Sequence, residues 1–233
     1  MDFSAPLLRG SLVRRYKRFM ADVTLETGET VTAHCANTGA MIGVQQAGAE
    51  VWLSPAQNPD RKLKYTWELV RIGDGLVGIN TAHPNRIVAE AIEAGRIPEL
   101  AGYATLRREV KYGRKSRIDI LLQDTARPDC YVEIKNVHLS REPGMAEFPD
   151  SVSTRAAKHQ GELGDMVGAG ARAVTFYLCQ RSDCDRFRVA GDIDPGYAAA
   201  SKAARARGVE ALCYACDLTP TAIGVSRRLE IFD

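Results

Sequence analysis

Three side chains within the stretch Arg117–Val137 have the types and spacing to hold a divalent cation and act on a phosphate: Asp119, Glu133 and Lys135. The stretch reads as a β-hairpin. Ile118–Leu122 is rich in β-formers, Asp124–Asp129 is a turn cluster, and Cys130–Val137 is a second β-rich run. Side chains on a strand alternate between faces. One face of the hairpin therefore carries Ile118, Ile120, Leu122, Val132 and Ile134, and the other carries Asp119, Glu133 and Lys135. A turn centred on Ala126 sets Asp119 opposite Glu133. Facing carboxylates repel and weaken a hairpin, a cost that a cation between them would remove. The Glu-x-Lys spacing also fits the solvated face of an ordinary strand.

Such a hairpin needs a sheet around it, and the chain is long enough to supply one. Its 233 residues can bury the core of one or two domains. A hydrophobic content of 45% and a charged content of 26% are those of an ordinary soluble protein. The net charge of +2 is nearly neutral, so nucleic-acid contacts must come from local patches. There is no apolar run long enough to span a membrane and no signal-peptide pattern at the N-terminus. The 6 cysteines are then expected to be reduced thiols in the cytoplasm. No internal repeat or low-complexity segment is present.

Residues 1–82 read as a small β-barrel. Short β-type runs at Ser11–Phe19, Ala21–Leu25, Thr30–Cys35, Val51–Ser54, Tyr65–Ile72 and Leu76–Ile79 are separated by glycine, proline and asparagine clusters. Cations and rings interleave in Arg15-Tyr16-Lys17-Arg18-Phe19 and in Lys62-Leu63-Lys64-Tyr65-Thr66-Trp67. An OB-type barrel binds single strands with such clusters, although alternating solvent-facing cations on a plain strand look the same. Asn37 and Thr38 could donate hydrogen bonds to a phosphate, or Asn37–Gly39 could be a tight turn.

Residues 83–233 read as an α/β domain. Asn85 is placed to cap a helix that ends at Gly95. Between Thr105 and Arg117 the lone acid Glu109 sits among Arg107, Arg108, Lys111, Arg114, Lys115 and Arg117. It is either a surface ion pair or a third acid beside the hairpin. Ser140–Gly144 reads as a loop, and Asp150 as the N-cap of a helix over Ser151–Val167. On that helix Arg155 and His159, and Lys158 and Glu162, fall four residues apart. They could aim cations at a phosphate or form a solvated face. Arg172–Cys179 reads as a buried strand, Asp194–Arg207 as a helix stopped by Gly208, and Val209–Cys216 as a last strand. Cys179, Cys184, Cys213 and Cys216 could make a zinc site in number, but Cys213 and Cys216 should face opposite sides of a strand.

Several segments taken together resemble a known family. They are Arg15–Phe19, His34–Met41, Thr66–Leu69, Glu109–Gly113, Ser116–Asp119, Tyr131–Val137 and Phe148–Asp150. The chain resembles, nearly end to end, the sugar fermentation stimulation protein A (SfsA) family. That resemblance implies an OB-like barrel followed by a PD-(D/E)XK restriction-endonuclease-like α/β domain, a two-domain α/β (α+β) protein. It implies Asp119, Glu133 and Lys135 as the acid–acid–lysine set and Glu109 as the upstream acid. Asp150, Arg155, Lys158 and His159 match the loop-and-helix motif. Ala156 and His138 depart from the family's usual glycine and small hydroxyl residue.

The expected function is DNA binding with little sequence preference, on single or double strands. With it goes phosphodiester hydrolysis dependent on Mg²⁺ or Mn²⁺. The cation would be held by Asp119, Glu133 and the Ile134 carbonyl, with Glu109 nearby. Lys135 would neutralise charge on the phosphate. The expected nucleic-acid contacts are Arg15, Tyr16, Lys17, Arg18, Asn37, Thr38, Lys62, Lys64, Arg155, Lys158 and His159. The alternatives are a non-catalytic DNA-binding regulator, of maltose metabolism by the family's description, and an enzyme acting on RNA or a nucleotide.

Overall fold

The computed structural model describes every residue except Pro59, Arg114, Lys115 and Asp233. Five strands close the first unit: β1 (Leu8–Tyr16), β2 (Met20–Leu25), β3 (Thr30–Cys35), β4 (Glu50–Pro55) and β5 (Tyr65–Ile72). They lie in the order β3-β2-β1-β4-β5, and a parallel pairing of β3 with β5 closes the circle as in an OB barrel. Alternate residues fill the interior, among them Leu12, Val23, Ala33, Leu53 and Trp67, each at most 1% exposed. The first strand runs Leu8–Tyr16 rather than Ser11–Phe19. Lys17 and Arg18 adopt left-handed φ values of 48° and 63°, which turn the chain and end the strand.

A short β6 (Gly75–Gly78) leads to α1 (Pro84–Glu93) and then to β7 (Thr105–Tyr112), β8 (Ser116–Gln123) and β9 (Cys130–Val137). There follow β10 (Leu139–Glu142), β11 (Gly144–Phe148), α2 (Thr154–Gly168), β12 (Arg172–Cys179) and β13 (Cys184–Val189). The chain ends with α3 (Pro195–Ala206), β14 (Glu210–Leu218), β15 (Ile223–Arg228) and β16 (Glu230–Phe232). The large sheet has the order β15-β14-β12-β9-β8-β7, with β9, β12 and β14 parallel and β7-β8-β9 an antiparallel meander. Apolar α1 side chains such as Ile87 and Val88 pack with Ile120, Val132 and Phe176 on one face. Leu163 of α2 and Ala204 of α3 pack with Leu121 and Ala173 on the other.

A second sheet, β10-β11-β13-β16, was not foreseen. The expected loop Ser140–Gly144 holds β10 and the start of β11, and β13, β15 and β16 are additional. These strands are short and rich in charge, and β11 and β13 pair from well-separated parts of the chain, so local alternation carries little trace of them.

All six cysteines are buried free thiols. Cys179, Cys184 and Cys213 pack on one side of the large sheet and Cys216 on the other. The alternation of strand faces therefore keeps the four from converging on a zinc ion. No helix among the described residues is long and apolar enough to cross a membrane.

The two units share a core and a tight seam. Trp52, Leu69 and Leu76 of the barrel pack with α1 and the large sheet. The Gly78 N–H donates to the Gln180 carbonyl at 2.8 Å. A Cβ on Gly78 would lie 2.6 Å from the Gln180 side-chain oxygen, and one on Gly75 3.0 Å from Asp183. Only residues without a side chain let β6 approach this closely. Buried Glu68 of β5 accepts from Ser54 at 2.6 Å and Asn80 at 2.8 Å and meets His83 Nε2 at 2.8 Å. The first residues of the chain also reach across, with the Phe3 N–H donating to the Thr221 carbonyl at 3.0 Å.

Candidate active site

The hairpin register is the one that sets the two acids opposite each other: Ile120 pairs with Val132 and Leu121 with Tyr131. Beyond Ile120 the ladder opens, and Asp119 Oδ2 takes the Ile134 N–H at 2.7 Å. On the other side, β7 pairs Arg108 with Ile120 and Val110 with Ile118, which brings Glu109 level with Asp119. Glu109 does this with φ at 55°, uncommon for a residue with a side chain. Three neighbouring strands thus present Glu109, Asp119 and Glu133 in one row.

The row is short of donors. Glu133 is 4% exposed. Its Oε1 takes Lys135 Nζ at 2.8 Å and meets His159 Nδ1 at 2.5 Å. Its Oε2 is buried without a hydrogen-bond partner. Burial alone would lift the Glu133 pKa, but His159 and Lys135 outweigh it and hold the carboxyl below its usual value. Asp119 goes the other way. Burial, and then the charge on Glu133, push it up to about 6, against the pull of the Ile134 N–H and Asn85.

Asn85 is the residue that sequence reasoning misplaced. The N-cap of α1 is His83, with Pro84 behind it. Asn85 lies inside the first turn, and its Nδ2 donates to Glu109 Oε1 at 2.8 Å and to Asp119 Oδ1 at 2.9 Å. Asp150 does not cap α2 either. Ser153 does, through Ala156 N at 3.1 Å. Asp150 instead accepts from the Met41 N–H at 2.9 Å and meets His138 Nε2 at 3.1 Å. Burial alone would raise it, yet His138, Met41 and Ser151 bring it to about 2. It ties the barrel loop to the wall of the site, in contact with the departure residue His138.

A cleft of about 610 Å³ runs along the row, walled by Thr38 and Gly39 of the barrel, Asn85 of α1, and Arg108, Asp150 and Arg155. A second cleft of about 680 Å³ lies beyond, sharing Glu109, Asp119, Glu133, Arg155 and His159 and adding Arg117 and Lys158. Arg155 and Lys158 are exposed. Lys158 also touches Ser116 at 3.3 Å and Glu162 at 3.3 Å. Arg108 and Arg117 bracket the acids as exposed cations, a role only hinted at by the density of cations in that stretch. Arg114 and Lys115 lie outside the described residues.

The other expected nucleic-acid contacts divide. Lys17 and Arg18, with Phe19 46% exposed beside them, project from the β1–β2 turn. Lys62 and Lys64 are exposed on the β4–β5 connection. None of the four lines either cleft. Arg15 is spent internally, on the carbonyls of Asn37 at 3.0 Å and Gly39 at 3.1 Å. Tyr16 donates to Asp22 at 3.1 Å. Asn37 is 1% exposed, donating to the Ile79 carbonyl and accepting from the Gly39 N–H, each at 2.9 Å. That is the tight-turn arrangement, and it leaves Thr38 as the exposed residue of this loop.

The donor set suits a hard divalent cation. Among the described residues no three His, Cys, Asp or Glu side chains gather to hold a metal ion. The row instead offers the carboxylates of Asp119 and Glu133, with Glu133 Oε2 left without a hydrogen-bond partner. Magnesium is commonly held by one or two carboxylates and several waters.

Two family models match the chain. The sugar fermentation stimulation protein RE domain matches residues 82–222, and the SfsA N-terminal OB domain matches residues 13–79. A sugar fermentation stimulation protein homolog of Rhodospirillum centenum is 61% identical over 231 residues, covering 99% of each chain. One from Paramagnetospirillum magneticum is 59% identical, covering 98% of this chain and 97% of the relative. The structure of Pyrococcus furiosus SfsA in complex with Ca²⁺ superposes with a TM-score of 0.89 at 26% identity, over 100% of this chain and 98% of that one.

Proposed function

The chain belongs to the sugar fermentation stimulation protein family, and on that premise we propose that it binds DNA with little sequence preference and hydrolyses it with a divalent cation, Mg²⁺ or Mn²⁺. The observation that carries this reading is the buried Glu133 oxygen left without a donor beside Asp119. A buried carboxylate oxygen without a partner is costly, and strongly shifted acids in a cleft mark functional sites. The Ca²⁺ complex of the Pyrococcus furiosus protein supports a divalent cation.

Asp119, Glu133 and the Ile134 carbonyl would hold the cation, with Glu109 in reach through water. When bound there, it supplies Lewis-acid polarisation of the phosphate and an acidified water. The chain's own residues do the rest. Lys135 is 8% exposed and aimed by Glu133, and it offsets the charge that grows on the phosphate. His159 meets the same Glu133 oxygen as Lys135 and helps to fix the carboxylate. Arg108, Arg155 and Arg117 hold the flanking phosphates, and Lys17 and Arg18 on the barrel extend that contact.

The test is incubation of single-stranded and duplex DNA with purified wild type, Glu133→Gln and Lys135→Ala, with and without Mg²⁺ or Mn²⁺. Glu133→Gln should fall to background while still binding DNA. Lys135→Ala should cleave about 100-fold more slowly or worse. Equal cation-dependent cleavage by all three proteins would end the proposal.

A further inference from the structure

Asn85 lies outside the acid–acid–lysine set, yet it makes the hydrogen bonds that organise two members of the row. Its Nδ2 spends both protons, one on Glu109 Oε1 at 2.8 Å and one on Asp119 Oδ1 at 2.9 Å. The two carboxylates sit level on adjacent strands, where like charges repel. A single neutral amide holds them together. With Oδ2 fixed by the Ile134 N–H at 2.7 Å, the second hydrogen bond leaves the Asp119 carboxylate no freedom to rotate.

The amide is itself held in place from the barrel. His83, which starts α1, meets Glu68 Oε2 at 2.8 Å, and Asn80 donates to the same oxygen at 2.8 Å. Glu68 is 4% exposed. Pro84, directly after His83, has the fixed φ that suits the first helical position. Asn85 therefore enters the cleft on a backbone held by the residues just before it.

We propose that Asn85 is a positioning residue for the cation site: it orients the Asp119 carboxylate, and sets Glu109 against it, so that the row is ready to receive a divalent ion. The inference rests on the cation site proposed above and adds to it a residue on another element. A carboxylate oxygen has lone pairs enough to accept from the amide and still bind a cation. Hydrogen-bond partners behind metal ligands typically contribute 10–100-fold to metal affinity or activity.

The experiment is calorimetric titration of the full chain with Ca²⁺ and with Mn²⁺, for wild type, Asn85→Ala and Asn85→Ser. Serine keeps a good helix-start residue but cannot span both acids. Melting temperature and DNA binding in EDTA are measured alongside. Both variants are expected to bind the ions about 10–100-fold more weakly while staying fully folded at the titration temperature, with wild-type DNA binding in EDTA. Wild-type ion affinity in both variants overturns the role of Asn85 and leaves the cation site standing. A weaker affinity that comes with partial unfolding of both variants at the titration temperature assigns Asn85 to helix stability instead and also overturns it. Failure of the wild type to bind either ion removes the cation site, and this inference with it.

Discussion

Two groups of carboxylates in this protein differ in how fully their oxygens are supplied with donors. At the seam between the barrel and the α/β domain, Glu68 has Ser54, Asn80 and His83, and Asp150 has Met41, Ser151 and His138. Burial raises both, but their donors win and both carboxyls lie below their usual range. In the cleft, Glu109 and Asp119 share one amide, Glu133 keeps an oxygen without a partner, and Asp119 is pushed up to about 6. Buried Glu68 and half-buried Asp150 are thus closed into a joint, whereas buried Glu133 and half-buried Asp119, with exposed Glu109 beside them, form an unfinished site. Where a fold leaves buried acids unsatisfied it forgoes stability, and such places are where function is found.

The largest expected effect is at the seam. Asp150→Ala should cost about 3 kcal/mol, because the Met41 N–H and His138 lose a buried acceptor, and should lower the melting temperature by roughly 6–12 °C. Asp150 has a lowered pKa, so its contribution is complete above the unfolded value of about 3.9. It is lost as pH falls toward about 2. The gap between variant and wild type should close over that window, and a gap that persists at pH 2 would assign the loss to packing.

Asp119 should behave in the opposite sense. Its raised pKa costs stability above about 6, and the cost is absent below the unfolded value of about 3.9. Between pH 4 and pH 7 in cation-free buffer, Asp119→Asn should therefore gain roughly 1–2 kcal/mol on wild type, from an offset at pH 4 set by the hydrogen bond that its amide cannot accept from Ile134 or Asn85. Adding Ca²⁺ at about 100 times its dissociation constant should cancel that gain, since ligand binding adds about 2.7 kcal/mol to wild type alone. Thermal melts at both pH values, with and without Ca²⁺, would contradict the comparison if the difference between variant and wild type did not change with pH.

The smallest effect is on the barrel. Because Arg15 is committed to the loop carbonyls, the informative change is Lys17→Ala with Arg18→Ala. For every phosphate that these cations neutralise, the double variant should flatten the log–log salt dependence of DNA affinity by about 0.7–0.9, with no change in melting. An unchanged slope would move the phosphate-binding role to Arg108, Arg117 and Arg155.

What could be read from the sequence was whatever depends on near neighbours. The hairpin register followed from alternation and a turn, and it brought Asp119 to Glu133 across only a few residues of turn. The barrel strands followed from glycine and proline punctuation. The misread residues have partners far along the chain. Asn85 looks like a cap until β7 and β8 deliver Glu109 and Asp119 to it. Asp150 looks like a cap until the barrel loop delivers Met41, 109 positions away, and Ser153 is as good a cap by type. Asn37 and Arg15 look like free donors because the carbonyls that occupy them carry no residue-specific signal at all.

The two glycines at the seam have a consequence for how substrate is measured. With no room for even a methyl group between β6 and the Gln180–Asp183 turn, the barrel cannot swing on the α/β domain without breaking main-chain contacts. A nucleic acid laid across both units would then meet a calliper whose two jaws, the turn of Lys17 and Arg18 and the acid row, are joined through this close seam. Under the proposed nuclease function, strand cuts would fall at a set offset from the point of capture, and Gly78→Ala would blur that offset before it weakened capture.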